Sequence, residues 1–341
     1  MWNQREVRTL RVILALFLDV SIKTILDNIK GISASSASRF LSTEHAPNEV
    51  FWEELNSWQL AQLYRPCRRG RRGDTILKLD LTCIEKRGQK IPFARVFNKH
   101  YGIQLVVLHV CMAGRSFPLG YRIYEGKGQQ TVVALALELL AAFPASLWSS
   151  SVVVMADAGF GSNHFITEAQ ALGFKRLLVG LRCDRKLSDG RRLDALKQRG
   201  QCLRLQDLPL DIYISWCEVK RDEGKKRFFL LSTFQASGAY LARRYRKRWL
   251  IESFFKSLKY DFGLKEARLR SKGGIRLWIF FACLAYSLAS LERSFAKQTL
   301  SLQEAAERVL DGFVDIRLLH LLIDCERFNL RHKLHLRLVA V

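Results

Sequence analysis

No two of the eight cysteines form a C-x-x-C pair; they fall singly at Cys67, Cys83, Cys111, Cys183, Cys202, Cys217, Cys283 and Cys325. That spacing excludes a zinc ribbon and a thioredoxin-type redox motif. Most of these thiols sit in apolar, strand-like contexts, where a free cysteine serves as a small hydrophobe. The chain therefore reads as reduced and intracellular. Long apolar runs are also missing. The longest, Leu277–Leu291, has 15 residues between Arg276 and Glu292, short of the roughly 18–20 that a spanning helix needs. It reads as a buried core helix. The run Val12–Leu18 follows three arginines but ends at Asp19 with no small-residue cleavage site, so it does not read as a signal peptide. No repeat and no low-complexity tract occurs.

Acid is the other scarcity. There are 32 Asp+Glu against 55 Lys+Arg, a net charge of +23 over 341 residues. A surplus of that size argues against a small acidic metabolite as the main partner and points to a polyanion. The 49% apolar and 26% charged composition is that of a globular chain and excludes a disordered or fibrous one.

The periodicities order the chain. Residues 1–64 read as helices, with Leu10, Ile13, Leu14 and Phe17, then Ile22, Ile25, Leu26 and Ile29, at helical spacing. The break at Gly31-Ile32-Ser33 leaves a helix-turn-helix DNA-binding region and a plain helical bundle equally open. Residues 65–73 form a basic linker with five arginines between Arg65 and Arg72, either a solvated run or a phosphate-gripping arm. From Asp74 the period becomes two, with Ile76, Lys78, Asp80 and Thr82 on one strand face. Strands follow near Ile91–Phe97 and Ile103–Cys111. Then come a helix at Thr131–Phe143, a β-branched strand at Ser151–Met155, a helix at Phe165–Leu172 and a strand at Phe174–Val179. This order predicts an α/β class with a mixed sheet over 74–180. Residues 181–236 break it with a basic stretch and a hairpin about Asp222-Glu223-Gly224, and read as a mainly β insertion. The α/β core resumes over 237–296 with a long helix, Ala239–Phe262, and 297–341 is helical again.

Chemistry concentrates on that long helix. At about 100° per residue, Tyr245, Arg248, Glu252 and Lys259 fall on one narrow stripe. Leu250, Ile251, Phe254, Phe255, Leu258 and Phe262 cover a separate, core-facing arc. Residues 243–272 hold eleven Lys/Arg against three acids. Glu252 among these cations is either a metal ligand or half of an i,i+4 pair with Lys256 on a solvated face. Two more acids bear on the choice. Asp80 lies in an apolar strand, a costly place for a carboxylate without a partner. Asp157 ends a buried strand before Ala158-Gly159-Phe160-Gly161, where it is a site residue or a turn cap. Three such carboxylates offer the hard oxygen ligands Mg²⁺ takes, and two ions could serve an in-line phosphoryl transfer.

Tyr245-x2-Arg248-x3-Glu252-x6-Lys259 resembles, without a gap, the Y-x2-R-x3-E-x6-K signature of the DDE transposases of the insertion-sequence-four family. Asp80-Leu81-Thr82 resembles its first-aspartate strand, and Asp157-Ala158-Gly159-Phe160 its second-aspartate turn, although Ala158 stands where relatives often carry a basic residue. The resemblance covers roughly residues 74–262. It implies an RNase H-like core in which Asp80, Asp157 and Glu252 hold two Mg²⁺ ions, with Mn²⁺ as a substitute. It further implies DNA contacts from Tyr245, Arg248, Lys259 and Trp249, the last stacking a flipped base, with Trp216 a weaker candidate. The implied reaction is cut-and-paste transposition: nicking at the element's ends, a hairpin intermediate and strand transfer. The implied partners are double-stranded DNA, both terminal inverted repeats and target, and a second copy of the chain on that DNA, with no membrane; the implied place is the bacterial cytoplasm, at the nucleoid when bound. Two alternatives stay open: a catalytically idle DNA-binding derivative that represses transposition, and an RNase H-like nuclease that cuts without joining.

Overall fold

The computed structural model describes residues 13–15, 17–19, 33–42, 49–64, 75–87, 91–97, 99–112, 115–143, 152–221, 224–267, 269–296 and 298–312. The basic linker, the second apolar repeat of the N-terminal region and the tail beyond 312 lie outside them. The chain divides into two compact units, one of residues 59–259 and one of residues 1–58 with 260–341.

Among the described residues, the 59–259 unit has nine strands. They are β1 (Ile76–Glu85), β2 (Arg95–Phe97), β3 (His100–Met112), β4 (Arg115–Tyr124), β5 (Val153–Ala156), β6 (Leu177–Leu181), β7 (Gln201–Leu203), β8 (Ile212–Arg221) and β9 (Gly224–Ser232). All nine join one sheet, in the order β2-β3-β1-β5-β6-β9-β8-β7, with β4 also on β3. β1, β5 and β6 are parallel, and the other neighbours are antiparallel. Residues 76–80 of β1 are buried without interruption, as befits a central strand covered on both faces.

The β8–β9 hairpin, expected within an insertion, joins the sheet. β9 pairs β6 from Leu178↔Ser232 to Leu181↔Phe229, so the hairpin extends the sheet. β4 is a strand that periodicity did not reveal, because Pro118 and Gly120 break its pattern. Pro118 is tolerated beside a register shift at Leu108/His109, the kind of irregular position that accepts a residue without an N–H.

The N-terminal helices are α1 (Ala34–Ser42) and α2 (Glu49–Tyr64); packed with the strands, among the described residues, are α3 (Val132–Ala141), α4 (Asn163–Ala171), α5 (Gly238–Arg246) and α6 (Leu250–Tyr260). Side-chain oxygens of Thr131, Ser162 and Ser237 cap α3, α4 and α5, each accepting from an otherwise unpaired first-turn N–H. The expected single helix over 239–262 is broken by a 3-10 turn at Lys247–Trp249. Ile76, Val153, Met155 and Leu178 from the sheet share a core with Leu241, Ala242 and Tyr245 of α5. That core fixes α5 on the sheet face that carries Asp80.

The other unit is helical where described. It contains α1, the first part of α2, α7 (Lys272–Phe295) and α8 (Leu302–Gly312). Phe17 meets the edge of Trp278 at 4.8 Å, and Trp52 meets Phe280 at 5.2 Å. α7 is long and apolar enough to cross a bilayer, yet 94% of its apolar window is buried in the protein, as in a core helix.

Candidate active site

β1 and β5 run in parallel, with Leu79 opposite Ala156 as their last paired residues. Asp80 comes next within β1, which continues to Glu85, and Asp157 comes directly after the end of β5, so two carboxylates stand on neighbouring strands where β5 stops. Asp80 is buried, its side chain only 10% exposed. Its Oδ1 accepts from the Leu81 N–H at 2.9 Å and its Oδ2 accepts from Arg248 Nη1 at 2.6 Å. Burial pushes its pKa up to about 6, with Arg248 opposing the rise and Asp157 and Glu252 adding to it. Desolvation thus outweighs a short ion pair, as expected where water is largely excluded.

Asp157 is half-buried, and burial raises its pKa against the lowering effect of Arg248. Its Oδ1 accepts from the Gly159 N–H at 2.9 Å. The carboxylate therefore does cap a turn, the 3-10 segment Ala158–Phe160. α4 has its own cap in Ser162, so Asp157 is not consumed by that helix. Glu252 lies in the first turn of α6 with its side chain 60% exposed, and its Oε1 accepts from Arg248 Nη2 at 3.3 Å. Arg248 is 11% exposed. It joins residues 172 positions apart in sequence, and its charge is coupled to Asp80, Asp157 and Glu252 together.

The 3-10 turn divides the expected stripe. Tyr245 and Arg248 face inward, Glu252 faces outward and Lys259 is half-buried in the last turn of α6. Lys259 acts electrostatically on Cys83. Tyr245 departs most from its expected place. Its hydroxyl is buried and donates to the Ala156 carbonyl at 3.1 Å, because α5 packs on the sheet with Tyr245 in the shared core. Leu250, expected in the core, is 57% exposed, and Trp249 beside it is 37% exposed. Ile251, Phe254, Phe255, Leu258 and Phe262 are buried as expected. Trp216 is 3% exposed. Arg199 and Arg227 lie over its ring at 5.2 Å and 4.9 Å, and Phe229 packs at 5.6 Å. That is a core tryptophan rather than a platform for a base.

The insert's charge is more self-contained than its composition suggests. Arg182, Arg191, Arg192 and Arg204 pair with Asp184, Asp189, Asp194 and Asp211. Arg243 and Lys247 of the helical run remain exposed close to the carboxylates in sequence.

Three contributors were not singled out by sequence. Gly180 on β6 lies beneath both Tyr245 and the Asp157 turn, where a Cβ would come within 2.5 Å of Tyr245 Oη; a glycine inside a strand is the signal of such close approach. Arg185 donates to the Gly161 carbonyl at 3.2 Å and to Asn163 Oδ1, tying down the segment after Asp157. Lys78 is fully buried one step below Asp80 on the same face, its Nζ 3.1 Å from Cys111 Sγ. Opposite it, burial and then the Lys78 charge hold the His109 imidazole well below the ordinary histidine range.

One buried and one half-buried carboxylate of raised pKa on adjacent strands are a hard-oxygen donor set, and they fit a divalent cation of the Mg²⁺ type. Among the described residues no three His, Cys, Asp or Glu side chains group closely enough to hold a metal; Glu252 is held by Arg248 instead.

A family model described as "Transposase DDE domain" matches residues 71–288, a span containing both aspartates and the whole helical run. Among solved structures, the chain resembles the piggyBac transposase in a cryo-EM synaptic complex with hairpin DNA. That likeness has a TM-score of 0.51 at 14% identity and covers 95% of this chain and 76% of that one. It shows the fold, an RNase H-like one, in keeping with the mixed sheet of β4-β3-β1-β5-β6. No curated protein matches.

Proposed function

The chain belongs to the transposase DDE domain family, and from that premise we propose that it is a metal-dependent DNA transposase of the insertion-sequence-four type. Its acids are Asp80, Asp157 and Glu252, and its substrates are the ends of a mobile element and a target duplex. The observation that carries the reading is the Arg248 fork. One buried guanidinium joins Asp80 of a central strand to Glu252 of α6, beside Asp157.

When bound, two Mg²⁺ ions, or Mn²⁺ in their place, would stabilise charge on the attacking and leaving oxygens of an in-line phosphoryl transfer. Asp80 and Asp157 would hold them from the sheet, and Glu252 from α6. Arg248 and Lys259 would bind phosphates beside them, Arg248 through the planar fork that suits phosphate as well as carboxylate. Exposed Trp249 would stack a displaced base at a hairpin stage. Tyr245, in the state described, anchors α5 to the end of β5 and so presents Arg248. The +23 net charge supplies general affinity for duplex DNA. A pair of copies on the DNA, working in the cytoplasm, completes the reading. A catalytically idle DNA-binding derivative is the second reading, favoured by the lack of a closed three-acid group among the described residues.

The test is Glu252→Gln, measured by gel shift and by a Mg²⁺-dependent nicking assay beside the parent. Glu252 is largely solvated, so the change should leave folding and end-DNA binding near normal, while nicking falls by at least a hundredfold. Nicking at the parent rate would remove Glu252 from the site. A parent that binds DNA but never nicks favours the idle derivative.

A further inference from the structure

Arg248 occupies the position of a cation among the three acids. Its Nη1 contacts Asp80 at 2.6 Å and its Nη2 contacts Glu252 at 3.3 Å. Its Nε is buried and finds no acceptor among the described residues. One guanidinium thus contacts two carboxylates and acts electrostatically on a third, Asp157. A buried N–H without an acceptor is an unfinished contact, since burial removes the water that would otherwise satisfy it. Any divalent ion held by Asp80 must share that carboxylate with a guanidinium already on it, and two cations on one carboxylate repel at short range.

We propose that Arg248 is a resident counter-cation which a divalent ion displaces from Asp80, and that the displaced guanidinium then takes a phosphate oxygen of the DNA. The inference rests on the metal-site reading above and gives that site a control. Without DNA, Arg248 competes with the metal and the site stays loosely loaded. With DNA present, the phosphate offers Arg248 a second anionic partner, so DNA favours metal entry. Binding linkage is reciprocal, so metal must favour DNA by the same factor. The exposed position of Glu252 fits this arrangement. A side chain 60% exposed is free to leave the arginine and turn to an incoming ion, whereas Asp80 is fixed within its strand.

The experiment uses the full chain and Mn²⁺ alone, titrated with the free ion read by electron paramagnetic resonance. Parent, Arg248→Gln, and Arg248→Gln combined with Asp157→Asn are compared, with and without a duplex oligonucleotide. Arg248→Gln should bind Mn²⁺ at least tenfold more tightly than the parent without DNA. The DNA-dependent gain in Mn²⁺ affinity seen in the parent should shrink to near onefold. Equal or weaker Mn²⁺ binding by Arg248→Gln, with binding lost in the Asp157→Asn combination, overturns the displacement and leaves the metal site intact. Mn²⁺ binding that survives Asp157→Asn sinks the metal site itself. If Arg248→Gln does not fold, the parent still decides. The ¹⁵N Nε–H signal of Arg248 should shift and exchange faster with water as Mg²⁺ is added, and a signal that stays fixed at saturating Mg²⁺ refutes the proposal.

Discussion

Gly180→Ala probes the crossing on which the site depends. The added Cβ would lie 2.5 Å from Tyr245 Oη, 2.7 Å from the Ala158 nitrogen and 3.0 Å from the Asp157 carbonyl carbon. Tyr245 cannot simply swing away, because it is 6% exposed and hydrogen-bonded to Ala156. Relief must come from β6, from the turn bearing Asp157, or from both. Overpacking of this kind costs about 1–3 kcal/mol, and a lost Tyr245–Ala156 bond adds about 0.5–1.5 kcal/mol. The sum, roughly 2–4 kcal/mol, lowers the melting temperature of a unit this size by roughly 4–15 °C. The displacement also reaches the backbone of a carboxylate that must be well placed, and a misplacement near 1 Å costs about a hundredfold in rate. The measurements are a urea or thermal melt and the nicking assay. Tyr245→Phe supplies the control. Removing Oη clears the nearest obstacle but leaves the Ala158 nitrogen, so Gly180→Ala should cost less, but not nothing, in that background. A Gly180→Ala protein that melts and nicks like the parent would refute the tight crossing.

Two other outcomes are expected. The Asp80 pKa is about 6 in the fold against 3.8 ordinarily; a raised carboxyl favours the fold below the lower value and loses that contribution as pH rises through the upper. The stability of the parent relative to Asp80→Asn should therefore fall by about 1–3 kcal/mol between pH 4 and pH 7, and nicking should fail on the acid side of pH 6; a flat stability difference contradicts the shift. Trp249→Ala should leave the first nick near normal but impair the hairpin stage by the roughly 1–3 kcal/mol of a base–aromatic stack, read by gel separation of nicked, hairpin and joined products; an unchanged hairpin yield removes Trp249 from that role.

Much of the sheet was legible because its signals are local. The alternation from Ile76 to Thr82 marks β1, and the β-branched run before Asp157 marks β5. β4 was hidden by Pro118 and Gly120, whose local breaks are absorbed by a register shift in the neighbouring strand. The place of the β8–β9 hairpin is a non-local pairing with β6, which no periodicity encodes. The helical run shows the same limit at finer scale. No proline or glycine interrupts residues 245–252, so nothing announces the 3-10 turn at Lys247–Trp249. Just past that turn Leu250, expected in the core, is 57% exposed, whereas Tyr245 before it is buried. The composition of the candidate site could be read, whereas the partners its members choose depend on packing.

The distance in chain between the two parts of that site has a consequence for how the protein is made. Ninety-five positions separate Asp157 from Glu252, and the sheet strands β6 to β9 are synthesised in between. At about 5–20 residues per second, the ribosome delivers the two strand carboxylates roughly 5–20 s before the helix that brings Arg248 and Glu252. Through that interval the nascent chain holds Asp80 and Asp157 with neither the arginine that neutralises them nor the third acid. Newly made chains thus pass through a stage in which the candidate site is incomplete, and the completing segment arrives only after the strands that seat it.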